Sequence, residues 1–365
     1  MNESMPLEKQ VANVSLAELL DRFTAEGKLY RREGEKVRCF ACAHRCLLAE
    51  GQRGVCKVRF CRDGKLWVPF GYVAGVAVDP IEKKPFYHVL PGADALTFGM
   101  LGCNFHCPFC QNWITSQSLR DARSGTQIQQ ASPEGLVQLA IRTGAEAVVS
   151  SYNEPMITAE WAQAIFALAK EQGRVCGMVS NGYATPEALE WLRPYMDAYK
   201  VDLKSFREEN YRQLGGSLKR VLEGIRAAHR LGYWVEIVTL LVPGFNDSTE
   251  ELQSMAEFIV SVSPDIPWHI TAFHPDYQMT DRRPTWPEDL ERAAEIGRKA
   301  GLRFVYAGNL PGRVKGLENT YCPKCGTLLV ERIGFSVLRN RIGPDGRCPS
   351  CGERIPGIWS LPSAR

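Results

Sequence analysis

Short apolar runs alternate with amphipathic segments from about Leu96 to Asn309 and organise most of the chain. The runs have the length of buried strands, whereas the apolar residues between them recur with the spacing of one helix face. Parallel strands joined by helices produce this order. We predict seven strands, at Leu96–Leu101, Ala147–Ser151, Val175–Val179, Ala198–Asp202, Val235–Leu241, His269–Phe273 and Phe304–Tyr306.

Six helices are predicted between these strands. Several begin where serine or threonine precedes proline, because the hydroxyl can cap the helix and proline fits its first turn. About six strand–helix repeats predict an α/β fold, a partial (β/α)6 barrel with its functional residues at the carboxyl ends of the strands. The helices are predicted at Pro133–Thr143, Ile157–Gln172, Pro186–Tyr195, Leu218–Leu231, Thr249–Val262 and Pro287–Ala300.

Cysteine-rich segments flank the predicted barrel. A short helix from Leu16 to Phe23, capped by Ser15, is expected before the first of them. We divide the chain into an N-terminal helical segment (1–30), a cysteine-rich N-terminal module (31–90), the barrel (91–314) and a ribbon-like C-terminal module (315–365).

Composition and charge narrow the class of protein. The 365 residues are 45% hydrophobic and 23% charged, which is typical of a globular chain rather than a disordered or fibrous one. The net charge of +3 is too small to indicate a nucleic acid or membrane partner. No apolar window would span a bilayer, and residues 1–15 lack the features of a secretory signal, so we expect a cytoplasmic protein. In a reducing cytosol, 13 cysteines indicate metal sites rather than disulfides.

The most informative cysteines are Cys103, Cys107 and Cys110, spaced CxxxCxxC. They offer three thiolates, so a 4Fe–4S cluster bound here keeps one iron open for a substrate. Phe105 and Phe109 place apolar rings in the same loop, which would exclude water. The alternative is a zinc site completed by His106 or a distant residue.

The cysteine triad resembles that of the radical S-adenosylmethionine (SAM) enzymes, and GCNFHCPFCQNW is similar to the version found in pyruvate formate-lyase and other glycyl-radical-enzyme activases. The run Asp79-Pro80-Ile81-Glu82-Lys83-Lys84-Pro85, the motif Tyr152-Asn153-Glu154-Pro155 and the terminal cysteine groups resemble the radical SAM enzymes of the AmmeMemoRadiSam system. This resemblance covers the chain from about Cys39 onward and implies the radical SAM barrel, a 4Fe–4S cluster and SAM.

The resemblance also implies which residues contact SAM. By position they are Phe109, Asn153, Glu154, Ser180, Asn181, Asp202, Lys204 and His274. Glu154 would face the SAM ammonium. The alternatives are structural: Asn153 to Pro155 as a helix start, Asp202 and Lys204 as a surface ion pair, and His274 as a packed side chain. Val179 replaces an acidic residue that helps activases hold a monovalent cation, so no such site is expected here.

As an enzyme of this kind, the chain would cleave SAM reductively and abstract hydrogen from an unidentified substrate. A low-potential flavodoxin- or ferredoxin-like donor is implied, with Memo-like and AMMECR-like proteins as possible partners. Two alternatives stay open: an activase acting on a partner protein, and a zinc-rich nucleic-acid-binding or scaffold protein. The substrate could be a protein, an RNA or a small molecule.

The terminal cysteines predict two further metal sites. Two CxxC pairs, each followed by glycine, predict a zinc ribbon, with rubredoxin-like iron as the alternative. They are Cys322, Cys325, Cys348 and Cys351. A second group would bind zinc or an auxiliary cluster, with zinc favoured by the short loops and His44 as a competing ligand. It comprises Cys39, Cys42, Cys46 and Cys56.

Other candidates receive structural interpretations. Cys176 is expected in the core and Cys61 as a spare thiol near the first cysteine group. His88, His229 and His269 have no compelling context. Arginines near the ribbon are expected on a solvated face, with RNA phosphate contact as the alternative. They are Arg332, Arg339, Arg341 and Arg347.

Overall fold

The computed structural model describes residues 15–124 and 127–361. The first element of the described residues is helix α1 (Leu16–Asp21), where Ser15 and Glu18 form the expected cap by exchanging hydrogen bonds. Short antiparallel strands follow and build two small sheets, β1-β6-β5 and β2-β3-β4. The strands are β1 (Thr24–Glu26), β2 (Tyr30–Glu33), β3 (Lys36–Cys39), β4 (Leu47–Leu48), β5 (Phe60–Arg62), β6 (Lys65–Pro69) and β7 (Tyr72–Val73).

The central sheet contains eight of the described strands in the order β16-β15-β14-β13-β12-β11-β9-β8. Its strands are β8 (Gly75–Pro80), β9 (Asp94–Gly99), β11 (Ala147–Ser150), β12 (Val175–Ser180), β13 (Ala198–Asp202), β14 (Trp234–Leu241), β15 (Trp268–Ala272) and β16 (Val305–Gly308), with β10 (Gln129–Gln130) paired to β7 instead. The seven predicted strands are all present and parallel. The eighth, β8, was not predicted and pairs antiparallel with β9.

Helices cross from strand to strand and bury their apolar faces on the sheet. They are α2 (Trp113–Ser116), α3 (Pro133–Arg142), α4 (Ala159–Glu171), α5 (Pro186–Leu192), α6 (Glu208–Leu214), α7 (Leu218–Arg230), α8 (Thr249–Val262) and α9 (Pro287–Lys299). The six predicted helices are confirmed within a few residues, although the one expected from Ile157 starts with a 3₁₀ turn at Pro155–Thr158. The short helices α2 and α6 were not predicted.

The capping chemistry behind those predictions is also present. Ser132 and Thr185 each accept a backbone N–H of the helix that follows, and proline occupies the first turn. Within the described residues, β8 and β16 do not pair, so the sheet stays open between its edges. The fold is therefore an α/β fold around a mixed, mostly parallel sheet.

The C-terminal segment packs against one end of this sheet. Its strands β17 (Thr320–Tyr321), β18 (Leu328–Ile333) and β19 (Ser336–Asn340) form an antiparallel sheet. Leu329, Val330 and Ile355 share a buried cluster with Tyr87 and Phe304 of the main fold. The segment is thus joined to the sheet by a hydrophobic contact.

The solvated position expected for Arg332 is wrong. Its side chain is fully buried, donates to the Tyr87 carbonyl at 2.8 Å and pairs with the buried Glu82 carboxylate at 3.4 Å. The β18 position turns this arginine towards the main sheet, where burial requires a charged partner. The other three arginines of that group, Arg339, Arg341 and Arg347, are exposed as expected.

Buried apolar side chains fill the space between the sheet and its helices. Trp161 on α4 and Trp268 on β15 are wholly buried. Cys176 on β12 is equally buried, as predicted for a core thiol. No helix in the described ranges has both the length and the apolarity needed to cross a bilayer.

Candidate functional site

A cavity of about 410 Å³ opens beside the carboxyl ends of the central parallel strands. The triad follows β9, Asn153 and Glu154 follow β11, and the remaining candidates end or follow β12 and β13. With the exception of His274, all predicted cluster and SAM residues line this cavity. They are Cys103, Cys107, Phe109, Cys110, Asn153, Glu154, Ser180, Asn181, Asp202 and Lys204.

The cluster loop turns sharply where β9 ends. Gly102 has φ +93°, and a Cβ there would lie 2.9 Å from Val58 Cγ1 and 3.1 Å from the Cys56 carbonyl oxygen. Only glycine fits both the conformation and the close approach. The Phe105 N–H then donates to Cys103 Sγ at 3.4 Å. The loop is therefore preformed around the first thiol.

The other two thiols are held by short local contacts. Cys110 Sγ lies 3.2 Å from the Ser116 hydroxyl, and the Cys110 N–H donates to the Cys107 carbonyl at 3.2 Å. The Phe109 ring is buried and packs edge-on against Phe245, with 5.4 Å between centroids. The triad thus lies under an apolar cover that limits water.

Burial raises the pKa of all three triad thiols, to about 12 for Cys107. The Lys204 ammonium opposes this rise at Cys107 and Cys110. Thiols in such surroundings become thiolates when a metal replaces the proton. No three metal-ligating atoms here lie within 4.8 Å of one another in the described chain, and His106 is exposed. This donor set suits a cluster with separated irons better than one zinc ion.

Glu154 is the most connected acidic group of the cavity. Its carboxylate accepts from the Met156 N–H at 3.0 Å, the Asn181 N–H at 2.8 Å and the Ser180 hydroxyl at 2.8 Å. Burial nevertheless raises its pKa to about 7, and those three donors only partly oppose the rise. Glu154 caps the Pro155–Thr158 turn as well, so its structural interpretation and its position in the cavity are both correct.

Ser180 and Asn181 fix the carboxylate and connect it to the cluster loop. The Tyr199 hydroxyl donates to Ser180 Oγ at 2.9 Å. The Asn181 amide donates to the buried Asn104 Oδ1 at 2.7 Å, and Asn104 follows Cys103 directly. Hydrogen bonds therefore link the ends of β11 and β12 to the cluster loop.

Asp202 forms the expected ion pair with Lys204, and Lys200 adds a second, buried cation to it. Both Lys200 and Lys204 donate to its carboxylate, Lys204 at 3.1 Å. Although burial raises it, the two ammonium groups hold the pKa of Asp202 at about 2. The two-residue period of β13 puts Lys200 and Asp202 on one face, and Lys204 follows two residues after the strand ends. That period was visible in the sequence, yet Lys200 was missed.

His274 does not reach this cavity. Its ring is exposed, contacts the Pro275 carbonyl at 3.3 Å and borders a neighbouring cavity of about 570 Å³. The chain leaves β15 at Ala272 and carries His274 outward. Val179 does line the first cavity, so an apolar side chain occupies the place of the activases' acidic residue.

Sequence reasoning also missed polar groups deeper in the cavity. His269, given no role, lines it and pairs with the wholly buried Glu236 at 2.6 Å. Lys84, from the Asp79–Pro85 run, lines it too; it pairs with Asp79 at 3.1 Å and lies 5.8 Å from the Tyr152 ring centre. The Lys84–Asp79 contact is local to the end of β8, whereas the His269–Glu236 contact joins the neighbouring strands β15 and β14.

The C-terminal cysteine set (Cys322, Cys325, Cys348 and Cys351) forms a compact group. All four sulfur atoms lie within 4.8 Å of one another, with 3.6 Å from Cys322 to Cys351 and 3.7 Å from Cys325 to Cys348. Tetrahedral zinc–thiolate bonds of about 2.3 Å place sulfurs about 3.8 Å apart. The geometry is consistent with one tetrahedral metal ion.

The N-terminal cysteine set (Cys39, Cys42, Cys46 and Cys56) is arranged differently. Within the described residues, no three of its sulfurs lie within 4.8 Å of one another, so the zinc spacing favoured by the short loops is not found. His44 contacts the Asn104 carbonyl at 3.1 Å instead of completing a metal group. The expected spare thiol, Cys61, is buried beside Glu50 at 3.7 Å.

Comparison with known proteins agrees with this site. Residues 98–259 match the model of the radical SAM superfamily. An uncharacterized protein of Methanocaldococcus jannaschii is 38% identical over 334 residues, 90% of this chain and 98% of the relative. The pyruvate formate-lyase-activating enzyme of Staphylococcus aureus is 25% identical over 60% of this chain and 92% of that enzyme. A radical SAM methyltransferase from Sphaerobacter thermophilus aligns with a TM-score of 0.48 at 14% identity, covering 88% of this chain and 87% of that one.

Proposed function

The chain belongs to the radical SAM superfamily, and we propose that it cleaves SAM reductively to a 5′-deoxyadenosyl radical that abstracts hydrogen from a substrate. Enzymes of this superfamily use a 4Fe–4S cluster for the cleavage, and electron transfer to SAM is the chemistry that the cluster supplies when bound. One observation carries the proposal. Three thiols of one loop line the same cavity as the polar groups at the ends of β11, β12 and β13.

The triad holds the cluster in this proposal. Cys103, Cys107 and Cys110 fill three positions and leave one iron open. Lys204 supplies a fixed positive charge near Cys107 and Cys110, which favours their thiolate forms. Phe109 covers the site and restricts water around the reactive atoms.

The SAM end of the cavity is assigned to the polar residues beside the triad. Glu154 meets the ammonium group, held in place by Ser180 and the Asn181 N–H. Asn153 is fixed by accepting the Met100 N–H at 3.1 Å. Asp202 and Lys204 present opposite charges at the next strand end, where polar parts of SAM can be oriented. His274 is left outside this set by its exposed position.

The substrate occupies the deeper part of the cavity, and two substrate classes are compatible with it. The relatives include pyruvate formate-lyase-activating enzymes, and an activase acts on a partner protein. The terminal cysteine groups favour the other class, a modifying enzyme of the AmmeMemoRadiSam type working with Memo-like and AMMECR-like proteins, because a minimal activase does without them. Superfamily membership argues against the scaffold alternative.

The remaining assignments complete the proposal. The C-terminal cysteine set binds one structural zinc ion, which its sulfur spacing supports. The open sheet corresponds to the partial (β/α)6 radical SAM barrel. A low-potential flavodoxin- or ferredoxin-like protein donates the electron in the cytoplasm, since reduction of a sulfonium requires the low end of the cluster potential range.

Anaerobic reconstitution tests the proposal. The reduced protein should convert SAM slowly to 5′-deoxyadenosine and methionine without added substrate. Cys103→Ala, Cys107→Ala and Cys110→Ala should each abolish the product, because two thiolates do not retain a site-differentiated cluster. Cys176→Ala, in the core, is the matched control and should keep iron and activity. An iron-free protein with zinc at the triad would refute the proposal, as would an iron-loaded, folded sample that yields no 5′-deoxyadenosine even with cell extract.

A further inference from the structure

The N-terminal cysteine set contains four thiols that the proposed function does not use. Cys39 ends β3, Cys42 and Cys46 lie in the loop before β4, and Cys56 lies in the turn before β5. All four are free thiols, and only Cys46 is partly exposed. The Cys39 N–H donates to the Cys46 carbonyl at 2.9 Å, so the loop folds back on itself.

Sulfur spacing distinguishes the two kinds of cysteine group in this chain. The C-terminal cysteine set has the spacing of one shared metal ion, whereas the N-terminal cysteine set and the triad do not, within the described residues. In a 4Fe–4S cluster each thiolate binds a different iron, so the sulfurs stand further apart than around one zinc ion. We infer that the N-terminal cysteine set holds a second iron–sulfur cluster, which passes electrons to the cluster of the triad.

A buried arginine beside the N-terminal cysteine set is consistent with an anionic group there. Arg59 is 2% exposed and forms two hydrogen bonds to Glu160, at 2.7 Å and 2.8 Å. Its Nε atom has no hydrogen-bond partner in the described part of the chain. Arg59 follows Cys56 by three residues, and a Cβ at Gly54 would lie 3.6 Å from both the Arg59 carbonyl oxygen and Cys46 Sγ. A cluster held by four thiolates is anionic, and a buried anion requires such a cation nearby.

The N-terminal cysteine set lies directly against the loop of the triad. The Asn104 side chain lies 3.8 Å from Cys103 Sγ, and its backbone carbonyl contacts His44 at 3.1 Å. One buried asparagine therefore contacts a thiol of the triad and the loop that carries Cys42 and Cys46.

A second side chain, Arg120, also joins the segment of the N-terminal cysteine set to the loop of the triad. The Arg120 guanidinium donates to the Val55 carbonyl, beside Cys56, and to the Phe105 carbonyl in the loop of the triad at 3.3 Å. Gly102 packs on the Cys56 carbonyl oxygen, as its close approach requires. Short paths of this kind suit transfer of an electron between two groups.

The outer side of the N-terminal cysteine set is accessible to a donor protein. Cys46 is partly exposed, and Val55 and Lys57 beside Cys56 are exposed. A reduced low-potential carrier loses one electron to the N-terminal cluster, which loses it in turn to the cluster of the triad. No bond is made or broken, and the carrier is oxidised by one electron. The relay rests on the proposed function, whereas the metal assignment does not.

Metal analysis of the full-length chain tests the assignment independently of activity. The wild type should contain about eight iron and eight sulfide per chain, and the triple variant C103A/C107A/C110A about four of each. Adding Cys42→Ala to the triple variant should remove the remainder, whereas adding Cys61→Ala should not. A triple variant holding two zinc ions and no iron, one more than the zinc ion of the C-terminal cysteine set, would overturn the assignment. If the triple variant does not fold, the wild-type count decides, because about four iron would mean a single cluster.

Donor dependence tests the relay. Cys42→Ala with the triad intact should form 5′-deoxyadenosine about tenfold or more slowly with reduced flavodoxin, while a small chemical reductant restores the rate. Cys61→Ala should match the wild type with both reductants. Equal rates with flavodoxin in the Cys42 variant would overturn the relay. Absence of product from the wild type with both reductants would count against the proposed function and leave the iron analysis valid.

Discussion

Replacement of Glu154 by glutamine should weaken SAM binding and remove its pH dependence. The raised pKa of about 7 means that burial disfavours the charged carboxylate by about 3 kcal/mol relative to its ordinary value. An ammonium group at the carboxylate restores the charged form. Since a hydrogen bond to a charged group contributes about 1.5–3 kcal/mol, Glu154→Gln should reduce SAM affinity about tenfold to a hundredfold.

The pH dependence provides the sharper measurement. SAM affinity of the wild type should fall when the pH is lowered from about 7 to about 5.5, because Glu154 is then protonated before SAM binds. Glu154→Gln should show a flat profile across this range by calorimetry. The stability of the SAM-free protein depends on pH in the opposite direction. The folded pKa exceeds the unfolded value, so the contribution of Glu154 to stability is complete below about 4.5 and is lost as the pH rises through about 7.

Glutamine also changes a local contact, so a matched control is needed. Its NH₂ group would replace an oxygen that accepts a backbone N–H, either from Met156 or from Asn181. Glu251 is similarly buried and accepts the Phe206 N–H at 2.7 Å, but it does not line the cavity. Glu251→Gln should lose stability and keep SAM affinity. If Glu154→Gln bound SAM as tightly as the wild type, or the wild-type affinity were independent of pH, Glu154 would have only its capping role.

Two further predictions concern the C-terminal segment. Cys325→Ser should release the single zinc ion of the C-terminal cysteine set and lower the melting temperature, because three thiolates bind zinc less tightly than four; retention of one zinc ion per chain would contradict this. Arg332→Met should cost about 3–5 kcal/mol in unfolding free energy, because it leaves Glu82 buried without its cation, whereas the exposed Arg339→Met should change stability by about 0.5 kcal/mol or less. Equal denaturation midpoints for the two arginine variants would contradict the buried pair.

Local patterns predicted the central architecture because each element leaves a trace in its own residues. The strands from β9 to β16 in the main sheet are mostly apolar and buried runs, and α3 and α5 begin with a hydroxyl residue followed by proline. The edge strand β8 was missed because its residues are only partly buried along their length. An antiparallel edge carries no helix after it and so breaks the repeat that predicted the others.

The site was predictable as far as its residues follow strand ends. The triad, Glu154 and Asp202 meet because parallel strands deliver their carboxyl ends to one side of the sheet. His274 was misplaced because its position depends on the direction of a loop after Ala272. Lys84 and His269 were missed for different reasons. The contact of Lys84 with Asp79 is local but follows a turn, and that of His269 with Glu236 depends on the register between β15 and β14.

Buried ion pairs join both terminal segments to the central fold. Glu160 on α4 is 5% exposed and has Arg59 of the N-terminal segment as its cation; it also accepts the Lys28 N–H at 3.0 Å. Glu82 depends in the same way on Arg332 from β18. Removing either segment would leave a buried carboxylate unpaired, at a cost of about 3–5 kcal/mol each. That cost is a large part of the stability of an ordinary domain, so we expect each terminal segment to contribute to the stability of the sheet, and the division at residues 90 and 315 stays a prediction.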